Sequence, residues 1–265
     1  MSKGSGIQIN QKCKGVFLGI PCYAGDIRSE TARTVSYAQQ IDELNVLTSY
    51  GFGSLLAASF NRLFCQALNA RADGIQYFVL LHSDIWATQQ NWLPLMLSIL
   101  EEHELDVLSV LSPIKSLRGM TSTAFDSHPW RPRRLTMSEA LQLPPTFTNH
   151  QVAMQGWPGL LFNTGLMMIR MTKPWVEEVC FTINDQISKN AAGVFESDVE
   201  PEDWHFSRWC NARGLKTAVT RRIIIQHFGP MMFDNQTDWG DDKYDMINGP
   251  FAGPLQWTEP AELNR

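Results

Sequence analysis

The chain has 265 residues, 44% of them hydrophobic and 18% charged, which is ample for the core of one large α/β domain and too apolar for a disordered protein. Its net charge of -5 weighs against a broad electrostatic attraction to nucleic acid. Five scattered cysteines without a C-x-x-C pair argue against a disulfide framework or structural zinc, and no apolar run approaches the ~20 residues of a membrane span, so a soluble, cytoplasmic protein is expected.

Residues 1–14 are polar, lack the apolar stretch of a signal peptide, and read as a leader. Residues 16–20 form a β-rich run ending in Pro21, Tyr23, Gly25 and Asp26, a loop composition, and a helix is expected over 29–37. A strand at 45–48 precedes a helix that Ser54 would cap, with Leu55, Leu56, Leu63, Phe64 and Leu68 at helical spacing. A strand at 76–81, a helix at 91–102 and a strand at 106–111 follow. This alternation predicts an α/β fold with a mostly parallel central sheet flanked by helices, in a single domain over 15–233.

Residues 114–155 carry several prolines and one short helical signal at 138–143, and read as an excursion or lid over the sheet. Residues 159–169 are a strand pair or kinked strand interrupted by Asn163, Thr164 and Gly165. Helices are expected at 174–189 and 201–212, a strand at 222–226, and an irregular acidic tail over 234–265.

The most informative stretch is the apolar run 76–81 leading into His82, Ser83 and Asp84. Open α/β sheets bind ligands beyond the carboxyl ends of their strands, so a lone carboxylate there points to a metal or nucleotide site. Taken in order, Pro21 and Tyr23, Ser54 with Asn61 and Arg62, His82 to Asp84, Pro113-x-Lys115, Asn163 to Gly165, Glu202 with Asp203, and finally His227 resemble the GT-A (Rossmann-like) class of nucleotide-sugar glycosyltransferases, particularly short phage-type members. The resemblance covers roughly residues 15–230, and its strength lies in the order of the parts.

It implies a metal-dependent transfer of a sugar from a nucleoside diphosphate, most commonly a UDP-sugar, with Asp84 and His227 holding Mn²⁺ or Mg²⁺. Pro21, Tyr23 and Asp26 would meet base and ribose, and Asn61 and Arg62 the nucleotide. Asn163, Thr164 and Gly165 would face the donor sugar or acceptor, with a sheet bulge as the other account of Gly165. Asp203, ahead of Glu202, would take the acceptor's proton in an inverting enzyme. His82 stands where the family's Asp-x-Asp motif has its first carboxylate, and with Ser83 it would face the nucleotide, bind metal through nitrogen, or serve only the sheet edge.

The acceptor that the resemblance implies would be either a hydroxymethylated base in DNA, with Arg131, Arg133 and Arg134 on phosphates, or a carbohydrate or lipid-linked acceptor. Trp239 and Lys243 in the tail would contact the donor by analogy. The alternatives are a nucleotidyltransferase that makes sugar nucleotides, which calls for a glycine-rich loop and a basic residue after the first strand, and a binding protein without catalysis.

Overall fold

The computed structural model describes residues 13–23, 25–240 and 255–258. Its first half follows the expected alternation. β1 (Lys14–Cys22) is buried along nearly its whole length, as a continuous apolar strand covered on both faces must be. Then come α1 (Ser29–Gln39), β2 (Leu44–Phe52), α2 (Leu56–Asn69), β3 (Ile75–Leu81), the short β4 (Ile85–Ala87), α3 (Trp92–Glu102) and β5 (Val107–Val110). Helix α2 buries Phe60, Leu63, Phe64 and Ala67 as one stripe, but Leu55 rather than Ser54 occupies its cap, with no side-chain bond.

The span expected as a loose excursion is regular. It holds β6 (Met120–Phe125), β7 (Arg133–Thr136), α4 (Met137–Gln142), β8 (Thr146–Thr148) and α5 (Asn149–Met154). Both helices start with a capping box, Thr136 with Glu139 and Thr148 with Gln151. Those T-x-x-E and T-x-x-Q spacings were the local signals, and the surrounding prolines obscured them.

In the second half, β9 (Leu160–Leu161) and β10 (Leu166–Arg170) lead to a 3₁₀ turn, Pro174–Glu178. The helix expected over 174–189 is replaced by this turn and by β11 (Asn184–Lys189), which pairs antiparallel with β12 (Phe195–Glu200). Ile183 and Ile187 fit a helical face as well as alternate strand positions, and pairing with β12 decides between them. The last elements among the described residues are α6 (Glu202–Ala212), β13 (Thr217–Thr220), β14 (Ile225–Phe228) and β15 (Met232–Asp234). Strand β13 was not expected, and the strand predicted at 222–226 begins later, at Ile225.

The central sheet has seven strands in the order β2-β1-β3-β10-β5-β13-β8. β2, β1, β3, β5 and β13 point one way, while β10 and β8 run against them. Alternate residues of β3 serve two cores: Phe78 and Leu80 pack with α2, and Tyr77, Val79 and Leu81 with α1 and α3. Because Leu81 pairs with Leu166, the residues after β3 lie beside those before β10. A small sheet, β15-β14-β4, attaches at this same end.

The basic run is absorbed into the fold. Arg133 is buried and pairs with Glu139, the capping-box carboxylate, through Nη1 to Oε2 at 3.1 Å. Arg131 donates to Glu196 at 3.0 Å and Asp198 at 3.2 Å, and the Arg134 guanidinium lies 4.9 Å from the centroid of the Trp204 ring. The expectation is corrected for Arg133, whose buried charge is met by Glu139, while Arg131 stays half-exposed at the surface in its pairs with Glu196 and Asp198. Removing one member of a buried ion pair leaves the other charge uncompensated, so Arg133→Met should lower stability by about 3–5 kcal/mol in urea unfolding.

Candidate functional site

The site is built from the turn after β3. His82 donates its backbone N–H to Gly165 O at 2.8 Å, and Ile85 N closes the turn onto His82 O at 3.1 Å. Asp84 is then tied to the last core strand, because its carbonyl accepts from Phe228 N at 2.9 Å and Ile85 pairs with His227 in the β4–β14 ladder. The pairing brings two predicted metal ligands together: His227 Nε2 lies 3.6 Å from Asp84 Oδ1.

His227 Nδ1 lies 2.8 Å from the carbonyl of Pro113, which can only accept, so Nδ1 carries a proton. Protonated at Nε2 as well, the ring is a counter-ion to Asp84. Neutral, it presents a lone pair to a carboxylate oxygen, and a gap between two such acceptors suits a divalent cation. Lys115 donates to the other oxygen, Asp84 Oδ2, at 2.6 Å. Burial opposes ionisation of Asp84, but the hydrogen bond and charge of His227, together with His82 and Lys115, hold its carboxyl well below the ordinary range. Among the described residues, no group of three or more His, Cys, Asp and Glu side chains makes a complete metal cage. Two side chains are only part of a coordination shell, so a cation held between them would need its other ligands from water and substrate oxygens.

His82 is partly exposed as a residue, yet its Nε2 is buried without a hydrogen-bond partner, and its ring sits 5.3 Å from that of Phe60. Burial pushes its pKa down to about 4, so the imidazole is neutral at physiological pH. The carbonyl of Ser83 accepts from Arg28 N at 3.2 Å and from Thr31 Oγ1 at 3.0 Å, which seats the start of α1 against the motif.

The second half of the site sits at the start of α6. Asp203 and Glu202 are both buried, and burial raises both carboxyls. Asp203 reaches about 7, the charge of Glu202 adding to the effect of burial. Its oxygens accept from Trp204 N at 2.8 Å and Asn163 Nδ2 at 3.2 Å. Asn163 Oδ1 in turn accepts from Gly165 N at 2.6 Å, so a short path of polar contacts runs from Asp203 through Asn163 and Gly165 to His82. A Cβ on Gly165 would lie 2.7 Å from Ile85 Cδ1, so this position needs glycine for close approach. Thr164 Oγ1 is buried without a partner.

The first loop is split. Pro21 is buried inside β1, opposite Gly51, while Tyr23 is 70% exposed and Asp26 is exposed, with Asp26 N bonded to Tyr23 O at 3.3 Å. Asn61 departs from its expected role: its Oδ1 and Nδ2 exchange hydrogen bonds with the backbone of Phe181, both at 2.8 Å, so it clamps a distant segment. Arg62 is exposed and contacts only the rim, at Phe52 O, 3.5 Å. Trp239 packs its ring against Phe233, and Lys243 lies outside the described residues.

Two positive groups at the site had been given no role. Arg28 places its guanidinium 4.9 Å from the Phe228 ring centroid, beside the Asp84 loop. Lys115 reaches Asp84 because Gly229 leaves room for its stem, where a Cβ would sit 2.8 Å from Lys115 Cβ and 3.0 Å from Cγ. The Pro113-x-Lys115 spacing was visible, but only the fold turns Lys115 onto the carboxylate.

No family model and no curated protein matches the chain. Among solved structures it is similar to A197 from STIV, at 14% identity and a TM-score of 0.48, over 89% of this chain and 99% of that one. A CMP:2-keto-3-deoxy-manno-octonic acid synthetase complexed with CTP is similar at 11% identity and a TM-score of 0.38, over 77% and 88% of the two chains. A UDP-glucose pyrophosphorylase mutant from Leishmania major, in complex with UDP-glucose, matches at 11% identity and a TM-score of 0.38, over 81% of this chain and 63% of that one. Similarity this distant assigns no activity to the chain.

Proposed function

We propose that the chain is a metal-dependent glycosyltransferase of the GT-A class, moving a sugar from a nucleoside diphosphate, with UDP-sugars the first candidates, to a hydroxyl group. The observation that carries this reading is the facing of Asp84 Oδ1 and His227 Nε2 across 3.6 Å at the carboxyl end of the sheet. An oxygen and a nitrogen donor together suit Mn²⁺, and the carboxylate also suits Mg²⁺. A cation held there would neutralise charge on the departing diphosphate.

The chain's own groups supply the rest. Lys115 and Arg28 flank the site with positive charge that phosphate oxygens can share. The exposed ring of Tyr23 is free to stack on a base, with Asp26 beside it for ribose or base hydrogens. Asp203, oriented by Asn163 and raised to about 7, is poised to accept the proton of the acceptor hydroxyl in an inverting transfer. In a retaining transfer the leaving phosphate takes that proton. The acceptor we favour is a carbohydrate, because Arg133 is buried in an ion pair with Glu139 and Arg131 already pairs with Glu196 and Asp198.

A second reading, nucleotidyl transfer to a sugar phosphate, draws support from Arg28, a basic residue after the first-strand loop that lies against the Asp84 turn. Release of pyrophosphate from a nucleoside triphosphate would establish that reaction instead.

The first test is thermal unfolding with nucleoside diphosphates, with and without Mn²⁺. One nucleotide should raise the midpoint only with metal, a ligand at a hundredfold excess over Kd stabilising by about 2.7 kcal/mol, and Asp84→Ala should abolish the rise while staying folded. A nucleotide-independent response, or an unchanged one in the variant, would refute the site.

Lys115→Met removes a charged hydrogen-bonding group and should weaken nucleotide binding in the presence of Mn²⁺ about tenfold, or ~1.4 kcal/mol. Gly229→Ala should do the same by displacing the Lys115 stem. Calorimetric titration measures both.

The turnover rate should rise with pH to a plateau above about 7 as Asp203 ionises, and Asp203→Asn should lose about 10²–10⁴-fold in kcat. Stability moves the opposite way. A carboxyl raised by folding favours the protonated native state, so its contribution is full below the ordinary value of 3.8 and is lost as pH rises through about 7. Unfolding of wild type against Asp203→Asn across that window should expose the slope.

A further inference from the structure

The hairpin of β11 and β12 is anchored on one face and open on the other. Its inner face places Glu196 and Asp198 against Arg131, and Glu200 against Arg208, His205 and Asn184. Its outer face carries Ile183, Ile187, Phe195 and Val199, exposed by 46, 76, 68 and 49%. An apolar face of this extent on a ribbon whose other face is tethered by ion pairs marks a contact surface.

We infer that this face packs against the same face of a second copy of the chain, across a two-fold axis perpendicular to the strands. The ladder pairs Ile187 with Ser197, so one axis can pass through the centre of both strands. Reversal about it sets Ile187 on the partner's Ile187 and Phe195 on the partner's Val199. It also sets Asp185 on the partner's Lys189, so the two charged residues of the face meet opposite charges twice over. Lys189 already lies on this face, its Nζ 4.7 Å from the Phe195 ring centroid. Edge-to-edge pairing of β12 about Ser197 would instead bring Glu196 against the partner's Asp198, a like-charge contact. Two ribbons stacked face to face bury the apolar side chains that edge pairing leaves in water. The inference is independent of the reaction proposed above.

Sedimentation velocity over a concentration series of the full chain tests it, with the thermal midpoint of each variant checked to confirm folding. The wild type should be a dimer, and Ile187→Asp a monomer that still unfolds cooperatively, with a midpoint matching that of the wild type at dilutions where it too is monomeric. Asp185→Lys and Lys189→Asp should each weaken dimerisation, and the double reversal should restore it, because only reversed two-fold packing returns the charges to opposition. A wild type that stays monomeric, as it would if another protein covers this face, overturns the inference. So do a dimer that survives in Ile187→Asp and a double reversal that restores nothing.

Discussion

Everything at the acidic end of the sheet depends on the antiparallel pairing of β3 with β10. Leu81 opposite Leu166 means that the chain leaves one strand and enters the next at the same place, so His82 to Asp84 and Asn163 to Gly165 are neighbours despite their separation in sequence. The His82 to Gly165 backbone bond fixes the spacing, and the closeness of Ile85 to Gly165 leaves no room for a side chain there. The short β4–β14 ladder then delivers His227 to Asp84 from a different part of the chain.

The electrostatics of the two carboxylates follow from what surrounds them. Asp84 is partly buried but faces an imidazole and an ammonium, so it stays ionised. Asp203 is buried beside another carboxylate, and burial with that like charge outweighs the amide hydrogen bonds of Trp204 and Asn163 and the charge of Arg134, so its proton is held to near neutrality. Two acids whose environments drive their protonation apart are a common arrangement where one must carry charge and the other must exchange a proton.

The same contrast between satisfied and open faces runs through the rest of the molecule. Arg131 and Arg133 of the basic run are paired with carboxylates of the same chain, and in doing so Arg131 fastens the β11–β12 hairpin to the body. Once the charged face of that hairpin is turned inward, its apolar face has only solvent or another chain to meet.

Much of this was legible along the chain. The apolar run into Asp84 is a strand because a continuous β-rich run of that length can be buried on both faces, and Asp203 heads a helix because carboxylates favour a helix start. Helical spacing identified α2 and a capping neighbourhood α1, and the expected helices at 91–102 and 201–212 are α3 and α6, which with the strands give the alternation of an α/β fold. It could not tell β11 from a helix, since Ile183 and Ile187 satisfy both periods, nor show that Asn61 would be consumed by the backbone of Phe181. Sequence by itself determined the local elements and the chemistry available at their ends, because propensity and polarity are properties of short segments. Tertiary structure alone decided which groups meet, setting Lys115 on Asp84 and Glu139 on Arg133, because those contacts are made by strand register and by the space left at Gly229, which no local pattern records.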